Sequence, residues 1–249
     1  MEIAWRQPIL RALPEGVSSA RTTAPAVQAV FCIDVRSEVF RRALEQTSSA
    51  VQTLGFGGFF GLGLEYQPFG AATARPQVPG LLAPRLRAID TGLHASDALQ
   101  RADSFDEMAA RKAFKSDAIS TFAFVDTFGV KHAVNLVRAS LGLADDKAGA
   151  RIGLSPDAER RKTPRITEAT SGEKLDLPAH CELALGMLRG MSLTRHFARL
   201  VLLVGHSSVC RNNPQAAGLD CGACCRQTGE VNARAGAALL NDPEIRGAL

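Results

Sequence analysis

A chain of 249 residues, 46% hydrophobic and 22% charged, is long enough for one large domain or two small ones and has the composition of a soluble globular protein. No apolar run approaches the roughly 18–20 residues that span a bilayer, and the N-terminus, MEIAWRQPILRALPEG, lacks the basic-then-apolar pattern of a secretion signal, which predicts a cytosolic protein. The net charge of +4 is diffuse apart from ERRKTPRIT at residues 159–167, and with no basic helix or interleaved aromatic stripe nucleic acid is not favoured as a partner.

In chain order, residues 1–25 read as an irregular lead-in, and residues 27–35 as a buried strand. Ser37 offers an N-cap to a helix, EVFRRALEQ, with Val39, Phe40, Ala43 and Leu44 as its apolar stripe. Strand then helix is the opening of an α/β unit. VQTLGFGGFFGLGLE, residues 51–65, starts as a second strand and turns glycine-rich. It lacks the Gly-Lys-Ser/Thr ending of a phosphate loop, so close backbone packing near a site is the favoured reading. Residues 67–91, with four prolines, read as a connector. Helices are expected over 97–115 and over 129–141, ended by Gly142, with AISTFAFVDTFG between them as a strand or a short buried helix. A polar surface excursion covers 143–176, a helix 178–191, and the clearest strand is ARLVLLVGH, residues 198–206. No internal repeat or domain boundary is evident, so residues 1–249 are read as one domain.

The pattern Cys32-Ile33-Asp34-Val35-Arg36 places a thiol, a carboxylate and a guanidinium on one face of a strand. Burying these groups is costly unless they pair or hold a metal. In isolation, a salt bridge beside a small core cysteine explains them. The rest of the chain supplies more. In open α/β sheets ligands gather at the carboxyl ends of strands, and Gly205-His206 lies at such an end. Asn212-Asn213-Pro214 then forces a turn, and Cys221-Gly222-Ala223-Cys224-Cys225 follows. Cys32, Asp34, His206 and Cys221 together suit a tetrahedral Zn2+. Ligands spread so widely along the chain fit a catalytic centre better than a local zinc knuckle. Cys221 and Cys224 also form a C-x-x-C that could act as a redox pair, without the usual strand-to-helix context. Cys181 and Cys210 read as ordinary buried thiols.

These residues resemble the β-class carbonic anhydrase pattern, Cys-x-Asp-x-Arg at one strand end and Gly-His-x-x-Cys-Gly after another. Here Cys221 follows His206 by fifteen positions rather than three. FCIDVRSE, GHSSVCRNNPQAAGLDCGACC and GEVNARAGAALLNDPEIR are similar to a narrower family, DabA, the inorganic carbon transporter subunit, whose members are much longer chains. One local departure is that the family tends to have glycine where Cys225 and Arg226 stand. The resemblance implies an α/β fold, a β-carbonic anhydrase-like core with a mainly parallel sheet flanked by helices, as the central portion of such a chain. It implies zinc on Cys32, Asp34, His206 and Cys221, with Arg36 able to draw Asp34 off the metal and Asp34 acting as proton acceptor or gate. It implies hydration of CO2 to bicarbonate, coupled to a DabB-like, proton-translocating membrane subunit, by a peripheral protein on the cytoplasmic face of the inner membrane. A stand-alone β-type carbonic anhydrase and a non-catalytic zinc-stabilised assembly module are the rival readings.

Overall fold

The computed structural model describes residues 6–8, 11, 24–117, 119–143, 154–208 and 216–249. Two sheets organise it. The first has three parallel strands: β1 (Val27–Cys32) in the centre, β2 (Val51–Phe56) on one side and β7 (Leu200–Val204) on the other. Val30 is in register with Leu54 on one neighbour and Leu203 on the other. A central parallel strand is covered on both faces, so VQAVFC is apolar almost throughout, and five of its six residues are buried. Helix α1 (Val35–Thr47) makes the crossover from β1 to β2.

The second sheet runs β4-β3-β5-β6, with β3 at Leu64–Gln67, β4 at Arg75–Gln77, β5 at Leu86–Thr91 and β6 at Thr163–Ala169. Only β3 and β5 are parallel; the outer pairs are antiparallel, and the β5–β6 ladder shifts register between Arg87 and Ala88. One buried cluster joins both sheets: Val30 of β1, Leu64 of β3, Ala88 of β5, Met187 of α5 (Leu177–Gly190) and Val231 and Leu239 of α6 (Glu230–Leu240). Helices α2 (Ala95–Ser116) and α3 (Thr121–Ser140) pack on each other, and the short α4 (Pro156–Arg161) and α7 (Pro243–Ala248) complete the helices used below.

Several expectations are corrected. The first strand ends at Cys32, not at residue 35. Asp34 is the N-cap of α1, its carboxylate accepting the Arg36 N–H, so the helix starts ahead of Ser37 and Arg36 lies in its first turn. Cys32, Asp34 and Arg36 therefore do not share a strand face; an Asp placed to cap the next helix outcompeted the alternating pattern. The α1 stripe is not buried: Val39 is 70% and Phe40 58% exposed. The proline-rich connector contains β4 and β5. Within AISTFAFVDTFG, residues 121–129 form the first half of α3, a helix in which no described residue is buried, instead of a strand or a short buried helix. The excursion at 143–176 contributes α4 and β6, which pairs with β5. Cys210, the Asn212-Asn213-Pro214 turn, most of the lead-in and residues 144–153 lie outside the described residues. The helix expected over 178–191 and the strand within 198–206 are present as α5 and β7.

Candidate metal centre

Parallel pairing puts the carboxyl ends of β1 and β7 side by side. Cys32 is the last residue of β1, and Gly205-His206 follow directly after β7. Gly205 has to be glycine, because a Cβ there would lie 2.8 Å from the Glu230 nitrogen and closer still to the Gly229 carbonyl. The start of α6 rests on this backbone, with the Gly229 N–H donating to the His206 carbonyl at 2.9 Å. Cys221 is brought in by a tight turn. Its carbonyl accepts from the Cys224 and Arg226 amides, and its own N–H donates to Gln227.

The result is a compact donor set. One ligand atom from each of Cys32, His206 and Cys221 lies within 4.8 Å of the others. The two sulfurs, 189 positions apart in sequence, are 3.4 Å apart. Cys32 is 2% and Cys221 0% exposed, and Cys224 joins their buried cluster with Phe59 and Ala223 packed around it. Contact with the Cys224 and Cys32 sulfurs pulls the Cys221 pKa well below the thiol range, while the same contacts and burial push Cys224 and Cys32 up. Backbone amides at Gly58 and Ala223 favour the ionised forms of Cys32 and Cys221 respectively. Gly58 closes the back of the set: a Cβ there would stand 2.6 Å from the Cys221 sulfur. Two thiols and an imidazole converging without a disulfide form the sulfur–nitrogen donor chemistry of a borderline-soft divalent metal.

Asp34 stands beside this set and not within it. Arg36 grips its carboxylate, Nε to Oδ1 at 2.8 Å and Nη2 to Oδ2 at 3.3 Å. That pairing holds the Asp34 carboxyl down at about 2. The same Nη2 reaches the Leu219 carbonyl at 2.6 Å and His206 Nδ1 at 3.3 Å. Arg36 thus ties together the segments carrying all three donors. The front of the set is open, with the Arg36 side chain 47% and that of Asp34 19% exposed.

The family profile described as "Probable inorganic carbon transporter subunit DabA" matches residues 1–249. The chain belongs to the DabA family. A DabA of Vibrio cholerae is 44% identical over all of this chain, one of a Bradyrhizobium strain 42% over all of it, and one of Acidithiobacillus ferrooxidans 39% over 99%. The chain spans 29–32% of the length of these relatives. No solved structure matches it.

Some of this DabA site was not visible in the sequence. The sequence offers Cys224 only as a possible redox partner, whereas its thiol contacts the Cys221 sulfur. The Ser208 N–H and hydroxyl both donate to Asp220 Oδ1, at 2.8 and 2.9 Å, bracketing the stretch between His206 and Cys221. The position of Asp220 directly before Cys221 was the available signal. Cys181 is half-buried and apart from the cluster.

Proposed function

We propose that this chain is the metal-binding, β-carbonic anhydrase-like portion of an inorganic carbon transporter subunit. In this reading Cys32, His206 and Cys221 hold a zinc ion, Asp34 is the exchangeable fourth ligand, and CO2 is hydrated to bicarbonate. The observation that carries it is the meeting of three donors from the ends of two parallel strands and a following turn. When bound there, zinc lowers the pKa of water toward neutrality and supplies a nucleophile for CO2.

The chain's own residues divide the remaining work. Cys32 and Cys221 bring the negative charge that a dication requires, from a buried cluster against which Phe59 and the Gly58 backbone pack. Arg36 orients Asp34 through a two-point grip that competes with any metal for the carboxylate. A carboxyl held at about 2 is a weak base at neutral pH, so Asp34 acts as a gate and hydrogen-bond acceptor more readily than as the proton acceptor. His206 presents its ring on the open side, beside Arg36. A solvent-facing Arg36 beside only three converging donors suits a reactive metal better than a structural one closed by four ligands.

The names of the relatives support a role in inorganic carbon transport. No helix among the described residues is long and apolar enough to cross a membrane. In this reading directional uptake comes from coupling to a DabB-like membrane subunit that moves protons. The protein would then act peripherally at the cytoplasmic face.

The test is metal analysis together with CO2 hydration. Wild-type protein should hold one zinc per chain, and Cys221→Ala should lose it with the fold kept by circular dichroism. Full zinc in Cys221→Ala rejects the ligand set. Stoichiometric zinc without hydration, in the presence of the membrane subunit, rejects the catalytic role.

A further inference from the structure

Asn232 belongs to GEVNARAG, a stretch that the metal centre does not use directly. It lies in α6 with no exposed surface. Its Nδ2 donates to three backbone carbonyls, Leu62 at 2.9 Å, Gln77 at 3.0 Å and Phe59 at 3.2 Å. An amide nitrogen carries two protons, so one of these bonds is shared. On its other side Oδ1 is buried and has no partner among the described residues. An unpaired buried acceptor is unfavourable, so the three carbonyl bonds on the other side of the amide have to outweigh it.

Phe59 and Leu62 belong to the glycine-rich loop between β2 and β3, and Gln77 ends β4. The loop is wound into tight turns, with the Phe60 N–H donating to the Gly57 carbonyl and the Leu62 N–H to the Phe59 carbonyl. Phe60 takes a left-handed backbone at φ 50° while fully buried. A bulky residue keeps that conformation only where its surroundings impose it. Two positions earlier, the Gly58 backbone hydrogen-bonds the Cys32 sulfur and passes so close to both sulfurs that a Cβ there would lie 2.6 Å from that of Cys221.

We propose that Asn232 is a positioning residue of the Cys32–Cys221 sulfur pair: its three carbonyl bonds fix the strained loop that sets Gly58 against Cys32 and Cys221. The role in metal binding rests on the reading of the site given above; the role in shielding the sulfurs does not. Alkylation by iodoacetamide, read residue by residue in metal-free protein by mass spectrometry, tests the shielding. In Asn232→Asp a carboxylate replaces the donor, and Asn232→Ser is a milder variant should the first not fold. Labelling of Cys32 relative to Cys181 should rise about tenfold in either folded variant, as expected of a local opening. Leu239→Ala, which removes an apolar contact from the same helix, should lower the unfolding midpoint without changing that ratio. An unchanged ratio in a folded Asn232 variant, or an equal rise in Leu239→Ala, overturns the proposal. Chelator competition with cobalt should show affinity about tenfold weaker in the Asn232 variants, a size usual for outer-sphere changes. Wild-type protein that takes up no cobalt defeats the metal reading and leaves the alkylation result to decide the positioning role.

Discussion

Two residues decide how the donor set is tuned. Asp34 does two jobs with one carboxylate, capping α1 through the Arg36 amide and accepting the Arg36 side chain. Its folded pKa, about 2, lies below the ordinary 3.8, so as pH falls the unfolded chain takes up that proton first. The stability Asp34 contributes is complete above about pH 4 and is lost by about pH 2. In metal-free protein the stability difference between wild type and Asp34→Asn should therefore shrink over that interval, as followed by urea unfolding at stepped pH. A difference that stays constant would show that ionisation of Asp34 adds nothing to folding. Gly58 is the second. With a hypothetical Cβ 2.6 Å from the Cys221 sulfur and 3.0 Å from the Cys32 Cβ, Gly58→Ala forces sulfur or loop to move, at about 1–3 kcal/mol. Calorimetry should show the lower unfolding midpoint, and zinc titration a weaker site.

At the scale of elements, the turn after Cys221 departs from backbone preference. Cys225 and Arg226 are consecutive left-handed residues, at φ 57° and 59°, and these are the two places where the family resemblance leads one to expect glycine. The backbone penalty for a side chain there is partly offset by glycine's greater freedom in the unfolded chain. Cys225→Gly and Arg226→Gly should each stabilise by about 0.5–1 kcal/mol, measured by urea unfolding. The donor residues were legible because they follow apolar strands and are rare types at fixed spacing. The local geometry between them was not. FCIDVR alternates like a strand, yet Asp34 serves the next helix, a choice that depends on competition between two local structures. The second sheet was largely missed because β4 and β6 contain Pro76 and Pro164, and each lies at a sheet edge, where a missing N–H is tolerated. AISTFAFVDTFG misled in the opposite direction, since its aromatic content is spent on contacts such as Phe124 with Phe114 and Phe128, on the surface of the helix pair.

For the whole molecule, the donors link parts of the chain that β1–β7 pairing, the Arg36 contacts and the shared core also join. A metal binding the folded form alone adds stability by mass action, about 4 kcal/mol at a free concentration 1,000-fold above the dissociation constant. Chelation should lower the unfolding midpoint of wild-type protein and leave Cys221→Ala unchanged. An equal drop in both would place the bound metal elsewhere. The α2–α3 pair keeps large apolar side chains in solvent, with Phe122 80%, Val130 76% and Leu141 68% exposed.

The bracket of Ser208 and Asp220 has an evolutionary corollary. Because the two ends of that segment are bonded to each other, and Cys221 is oriented by the turn that follows it, the length of chain between them is uncoupled from the coordinates of the sulfur. Insertions can accumulate there, and a new surface can be grown beside the metal centre, without redrawing the centre itself.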